Sequence, residues 1–140
     1  MRRFLNSLPI GVASALVIAA VLYLTLYPEP LPDNDVQLFP GADKVIHALM
    51  MLGVSGCVAY DCLRSRRYRD KIKPPKGLLV CLLALTILFG GVIELLQSAM
   101  GLGRSEDFID FVADSIGALV AFIVELNCWS SLRKWLIERR

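Results

Sequence analysis

GGVIELLQSAMGLGRSEDFIDFVADSIGALVA, residues 90–121, joins two apolar segments through a short polar turn. Glu94, Gln97, Arg104, Glu106, Asp107, Asp110 and Asp114 lie inside or between those segments. A carboxylate near the centre of a bilayer costs a few kcal/mol even on insertion-derived scales. Several on one hairpin therefore need a reason. Intramembrane ionisable groups face a bundle interior or a wet cavity, and they commonly mark a functional site. The rest of the chain reads as scaffold that brings partners to this hairpin.

Working outward, the 140-residue chain is 56% hydrophobic with a mean hydropathy of +0.58. Soluble domains stay below about 50% apolar. Four apolar runs stand out, at residues 10–27, 45–62, 77–100 and 108–126. Each is near the roughly 20 residues that a spanning helix needs. The expected fold is all-α, an integral membrane bundle of four transmembrane helices forming a single domain, 1–140. Residues 127–140, with Trp129 and Trp135 among basic residues, read as an interfacial cytoplasmic tail.

Charge placement orients the bundle. With cytoplasmic termini and alternating spans, Arg2, Arg3, the run 64–76 and the tail from Arg133 put 13 of the 15 basic residues inside, leaving Lys44 and Arg104 outside. Of the 13 acids only Asp61, Asp70, Glu125 and Glu138 fall inside. The inner side then carries +9 and the outer −7, and the positive-inside rule selects this orientation. The first apolar run exceeds the h-region of a signal peptide and ends in Tyr27-Pro28-Glu29-Pro30 without an A-x-A site, so a retained helix is expected. Cys57, Cys62, Cys81 and Cys128 contain no C-x-x-C pair and read as apolar packers.

Within the spans, small residues predict close packing. Gly11, Ala15 and Ala19 recur every four residues on the first helix, Gly53 and Gly56 thin the second, Gly90 and Gly91 the third, and Gly117 and Ala121 the fourth. Pro28, Pro30, Pro32 and Pro40 keep the first connection out of regular helix. Asp43 is a candidate N-cap of the second helix and Ser105 of the fourth. The basic run 64–76 is short and has no folded reader, so it is a topology determinant and nucleic acid is not expected as a partner.

The polar residues gather at three helix ends. Asp43, Lys44 and His47 open the second helix on one face, Glu94 and Gln97 close the third, and Arg104, Asp107, Asp110 and Asp114 lead into the fourth as a stripe spaced by three and four. Alternating topology puts all three ends outside. His47 lies about 6 Å below Asp43 along its helix, and Glu94 about 9 Å inside the end of its own. The expected site is thus an outward-facing polar pocket walled by helices two, three and four, with helix one only packing. Lys44 and Arg104 suit acids or a phosphate. His47, Glu94, Asp110 and Asp114 are the candidate ligands of a divalent metal, the one cofactor these residues invite. The same set suits general acid–base work. No Ser-His-Asp arrangement or nucleophilic cysteine stands out.

Three motifs carry a resemblance: D-K-x-x-H at Asp43–His47, E-x-x-Q at Glu94–Gln97 and R-x-x-D-x-x-D at Arg104–Asp110. In this order, over residues 43–121, they resemble the VanZ-like family of small bacterial multi-helix membrane proteins. That family is named for a member associated with resistance to the glycopeptide antibiotic teicoplanin. Its pattern carries asparagine where this chain has Asp114, with a glycine following, here Gly117. The resemblance implies a multi-pass protein of the bacterial cytoplasmic membrane concerned with the cell envelope, and it names no reaction.

Three functions compete. A pocket at headgroup depth would bind or modify a cell-envelope component, a membrane lipid or lipid-linked precursor, and would open laterally between helices. An accessory or structural subunit, with oligomerisation open to it, would hold its charges closed and fully paired. A proton- or ion-coupled carrier would need polar groups near the midplane, whereas polar residues are expected only in the outer half.

Overall fold

The computed structural model describes residues 9–27, 40–100 and 108–135. They form four helices: α1 (Val12–Leu26), α2 (Ala42–Arg64), α3 (Lys76–Met100) and α4 (Phe108–Arg133). No strand occurs among the described residues. The lead 1–8, the connection 28–39, the turn 101–107 with Arg104, Ser105, Glu106 and Asp107, and the end 136–140 lie outside them.

Local chemistry sets the boundaries. Pro40-Gly41 precedes α2, and Gly41 takes φ 84°, a left-handed conformation that a side chain would strain. Gly41, not Asp43, is therefore the N-cap, and Asp43 stands in the first turn, where its charge suits the helix dipole. At the other end Ser65 turns its hydroxyl back onto the Cys62 carbonyl at 2.6 Å. Pro74-Pro75 cannot sit inside a helix, and α3 starts directly after them, with Leu79 N–H donating to the Pro75 carbonyl.

The fourth helix runs past the expected end at 126 to Arg133. Trp129 is thus part of it and is buried, not interfacial. Its indole Nε1 donates to the Lys71 carbonyl at 3.1 Å. Arg133 reaches the Arg69 carbonyl in the same way. These two bonds fasten the basic connection between α2 and α3 to α4.

Contacts at the two ends define the topology. Residues near the end of α1, the start of α2, the end of α3 and the start of α4 meet at one end, through Gln97–Thr25, Lys44–Asp110 and His47–Asp114. The opposite ends meet through Ser14–Asp61 and Trp129–Lys71. Successive helices therefore run antiparallel, and α2 and α4 run parallel. Those two form the closest pair, α3 packs against both, and α1 rests on α2 and α3 without reaching α4.

Small residues decide where helices touch. A Cβ on Gly117 would collide with the Ala48 carbonyl oxygen and stand 2.8 Å from Ala48 Cα, so α2 crosses α4 backbone to backbone. Gly91 receives the Phe111 ring and Gly53 faces Val17. The expected stripe on α1 is not used, because Ala15 and Ala19 are exposed. α1 packs instead through Val17, Ile18, Val21 and Leu22 onto Met51, Val54 and Ile93. A second cluster, Ala59, Leu63, Leu79, Leu82 and Trp129, fills the other end.

The exterior is apolar. Leu16, Leu49, Leu88, Leu95, Ile116 and Ile123, spread over all four helices, are exposed. α2 and α3 are long and apolar enough to cross a membrane, and only 28% and 33% of their most apolar windows are buried. A core helix of a soluble protein would be mostly buried. α1 is a shorter apolar helix of 15 residues, and α4, with 26, is interrupted by Asp110, Asp114 and Glu125.

Candidate functional site

α2, α3 and α4 each deliver an ionisable side chain to one point. His47 Nδ1 lies 3.1 Å from Asp114 Oδ1 and 3.9 Å from Glu94 Oε1. Donor atoms of the three residues all fall within 4.8 Å of one another. Asp114 is fully buried and Glu94 is 8% exposed. Asp114 fits because residue 90 is glycine: a Cβ there would stand 2.7 Å from Asp114 Oδ2 and 2.9 Å from its Cβ. That Oδ2 has no hydrogen-bond partner among the described residues.

One turn nearer the helix ends, Lys44 Nζ bridges Asp43 Oδ2 at 2.8 Å and Asp110 Oδ1 at 3.2 Å. Asp43 is exposed and Asp110 partly buried, so this layer forms a partly exposed rim over the buried His47–Glu94–Asp114 layer. An apolar groove of about 350 Å³ runs between α2 and α4, from Lys44 of the rim past Ala48 and Gly117 to Leu52 and Val120; His47, Glu94 and Asp114 do not line it.

Of the nine expected site residues, Asp43, Lys44, His47, Glu94, Asp110 and Asp114 come together here. Arg104 and Asp107 lie outside the described residues. Gln97 turns away: its Nε2 donates to the Thr25 carbonyl at 2.9 Å. That bond ties α3 to the end of α1, so α1 makes a polar contact as well as packing.

The other half of the bundle, away from this cluster, is not free of polar groups, contrary to expectation. Ser55 donates to Glu125 Oε1 at 2.9 Å, and both residues are buried. Glu125 Oε2 has no partner among the described residues. Nearby, Asp61 Oδ2 accepts from both the Ser14 N–H (3.0 Å) and its hydroxyl (2.6 Å), which satisfies a first-turn amide of α1. An apolar cavity of about 160 Å³ reaches Glu125 between Gly56, Tyr60, Ala121 and Trp129. The signal for Glu125 was present in the spacing. Asp114, Ala118, Ala121, Glu125 and Trp129 follow one another by three or four and form the buried stripe of α4.

Chemically, the buried layer offers one imidazole nitrogen and two carboxylates, and the rim offers an ammonium between two acids. Such a set can hold a cation, hydrogen-bond a headgroup, or carry protons between imidazole and carboxylate. Comparison with family models, curated proteins and solved structures returns no match.

Proposed function

We propose that this chain is a VanZ-like integral membrane protein of the bacterial cytoplasmic membrane, with four transmembrane helices and cytoplasmic termini. In this reading its polar cluster lies in the outer leaflet and binds or modifies a lipid or lipid-linked component of the cell envelope. The exposed apolar side chains on every helix support a bilayer as the solvent of the exterior. Uneven charge supports the orientation.

One observation carries the site: an apolar groove between α2 and α4 begins at Lys44 of the rim, one turn from the buried ionisable layer. That arrangement suits an amphiphile, with a hydrocarbon chain along Ala48, Leu52, Gly117 and Val120 and a polar head at the Lys44–Asp110 rim. A link to glycopeptide susceptibility comes only through the resemblance.

A second reading, an accessory subunit whose charges lock the bundle, draws on the pairs Lys44–Asp110 and His47–Asp114. Paired measurements on Glu94→Gln and Asp110→Asn separate the two. Both changes keep shape and remove charge. A binding site predicts loss of an envelope-stress or glycopeptide-susceptibility phenotype at unchanged thermal stability in detergent. A lock predicts that stability and phenotype fall together, more for Glu94, where breaking a buried pair costs about 3–5 kcal/mol, than for Asp110, whose pair with Lys44 is partly exposed.

A further inference from the structure

We infer that His47, Glu94 and Asp114 form a binding site for one divalent first-row transition cation, of the zinc or manganese type. This rests on the reading of the cluster as the working site and deepens it by naming the ion. Three kinds of observation lead there.

The first is donor chemistry. One imidazole with two carboxylates is a mixed N/O set, which suits zinc or manganese better than the all-oxygen shells of calcium or magnesium. The ligands come from three separate helices and converge at one depth. His47 Nδ1 faces both carboxylates, at 3.1 Å and 3.9 Å, and no pair of donors exceeds 4.8 Å. Donors around a tetrahedral zinc at about 2.0–2.1 Å stand roughly 3.4 Å apart. Small side-chain rotations therefore close the set on an ion.

The second is an atom that asks for a ligand. Asp114 is fully buried, and its Oδ2 has no hydrogen-bond partner among the described residues. A buried carboxylate oxygen without a donor is costly. Gly90 makes room for it, since any Cβ there would strike the carboxylate.

The third is charge. The cluster holds two carboxylates and one imidazole, so even a protonated His47 leaves it one charge negative. Lys44 is held one layer away by Asp43 and Asp110. A divalent ion with a neutral imidazole brings the cluster to zero in a medium where uncompensated charge is expensive.

Three protein ligands leave a coordination position for water or a ligand oxygen. Lys44 of the rim, one turn away, lines the groove, so a phosphate or carbonyl oxygen of a headgroup held at Lys44 is the matching substrate atom.

The test is metal binding by the full chain, purified in detergent and stripped with a chelator. Zn²⁺ and Mn²⁺ are titrated separately, with bound metal counted by mass spectrometry after dialysis. The expected result is one ion per chain, and a melting temperature raised by the ion. His47→Gln and Glu94→Gln each weaken binding by more than the roughly 10–100-fold that loss of a supporting contact costs. Asp70→Asn, exposed in the connection between α2 and α3 at the opposite end of the bundle, leaves it unchanged. Should Asp114→Asn fail to fold, those variants still decide the matter.

Cobalt(II) adds a readout independent of stability. Its visible absorption bands appear in wild type and Asp70→Asn, and disappear in His47→Gln. Folded wild-type protein that takes up neither Zn²⁺ nor Mn²⁺ overturns the inference, as does binding that survives the double change of His47 and Glu94. The titration needs no envelope phenotype. Failure to bind metal therefore leaves the lipid reading standing, and a lost phenotype reading leaves the metal site standing.

Discussion

Replacing Gly117 by alanine should push α2 off α4. The added Cβ would meet the carbonyl oxygen of Ala48 and stand 2.8 Å from both its Cα and its carbonyl carbon. Ordinary carbon contacts lie near 3.5 Å or beyond, so α2 must recede by at least about 0.7 Å. The obstacle is backbone, so no rotamer change can relieve it. Overpacking of this kind costs about 1–3 kcal/mol, and the upper part of that range applies here. The site should suffer with the fold, because His47 precedes Ala48 and Asp114 lies one turn above Gly117. Their 3.1 Å contact would stretch past the roughly 3.5 Å limit of a useful hydrogen bond.

Thermal unfolding in detergent measures the first effect and zinc uptake the second. Gly56→Ala is the control: nothing lies within 4 Å of a Cβ there, and alanine is the better helix former by about 0.8–1 kcal/mol. It should be neutral or stabilising. Ala48→Gly should fail to rescue Gly117→Ala, since the colliding atoms remain. A Gly117→Ala protein as stable as Gly56→Ala, or one restored by Ala48→Gly, would refute the backbone crossing.

Trp129→Phe keeps an aromatic ring but loses the bond to the Lys71 carbonyl, and should cost about 1 kcal/mol; a cost near the 3–5 kcal/mol of a full truncation would show that the cavity, not the bond, dominates. Ser55→Ala removes the donor to Glu125 and should cost about 1–3 kcal/mol. Adding Glu125→Met to it should restore the melting temperature or raise it, and a further fall would give the carboxylate another partner. Asp70→Cys, with the four native cysteines replaced, should react with an impermeant label only after cells are opened. Labelling of intact cells would reverse the orientation.

The all-helical class of the fold was legible in the chain alone, because helix formation follows from local composition. Apolar runs bounded by prolines and basic clusters place the first three helices within three residues of where they stand, while the fourth runs seven residues further than expected, and the acids at three helix ends foretell a polar cluster there. Which face each helix turns inward was not legible. Glu94 and Gln97 sit three residues apart, about 60° around the axis, which is enough for one to face His47 and the other Thr25. Ala15 and Ala19 make as plausible a packing stripe as Val17 and Val21, yet the latter meet Ile93 and Met51. Trp129 beside Arg133 reads as an interfacial anchor until the Lys71 carbonyl is placed against it. Rotation and crossing are decided by contacts between segments far apart in sequence, above all Gly117 on Ala48 and Gly90 on Asp114. The energy of such a contact depends on both partners at once, so neither segment read by itself contains it.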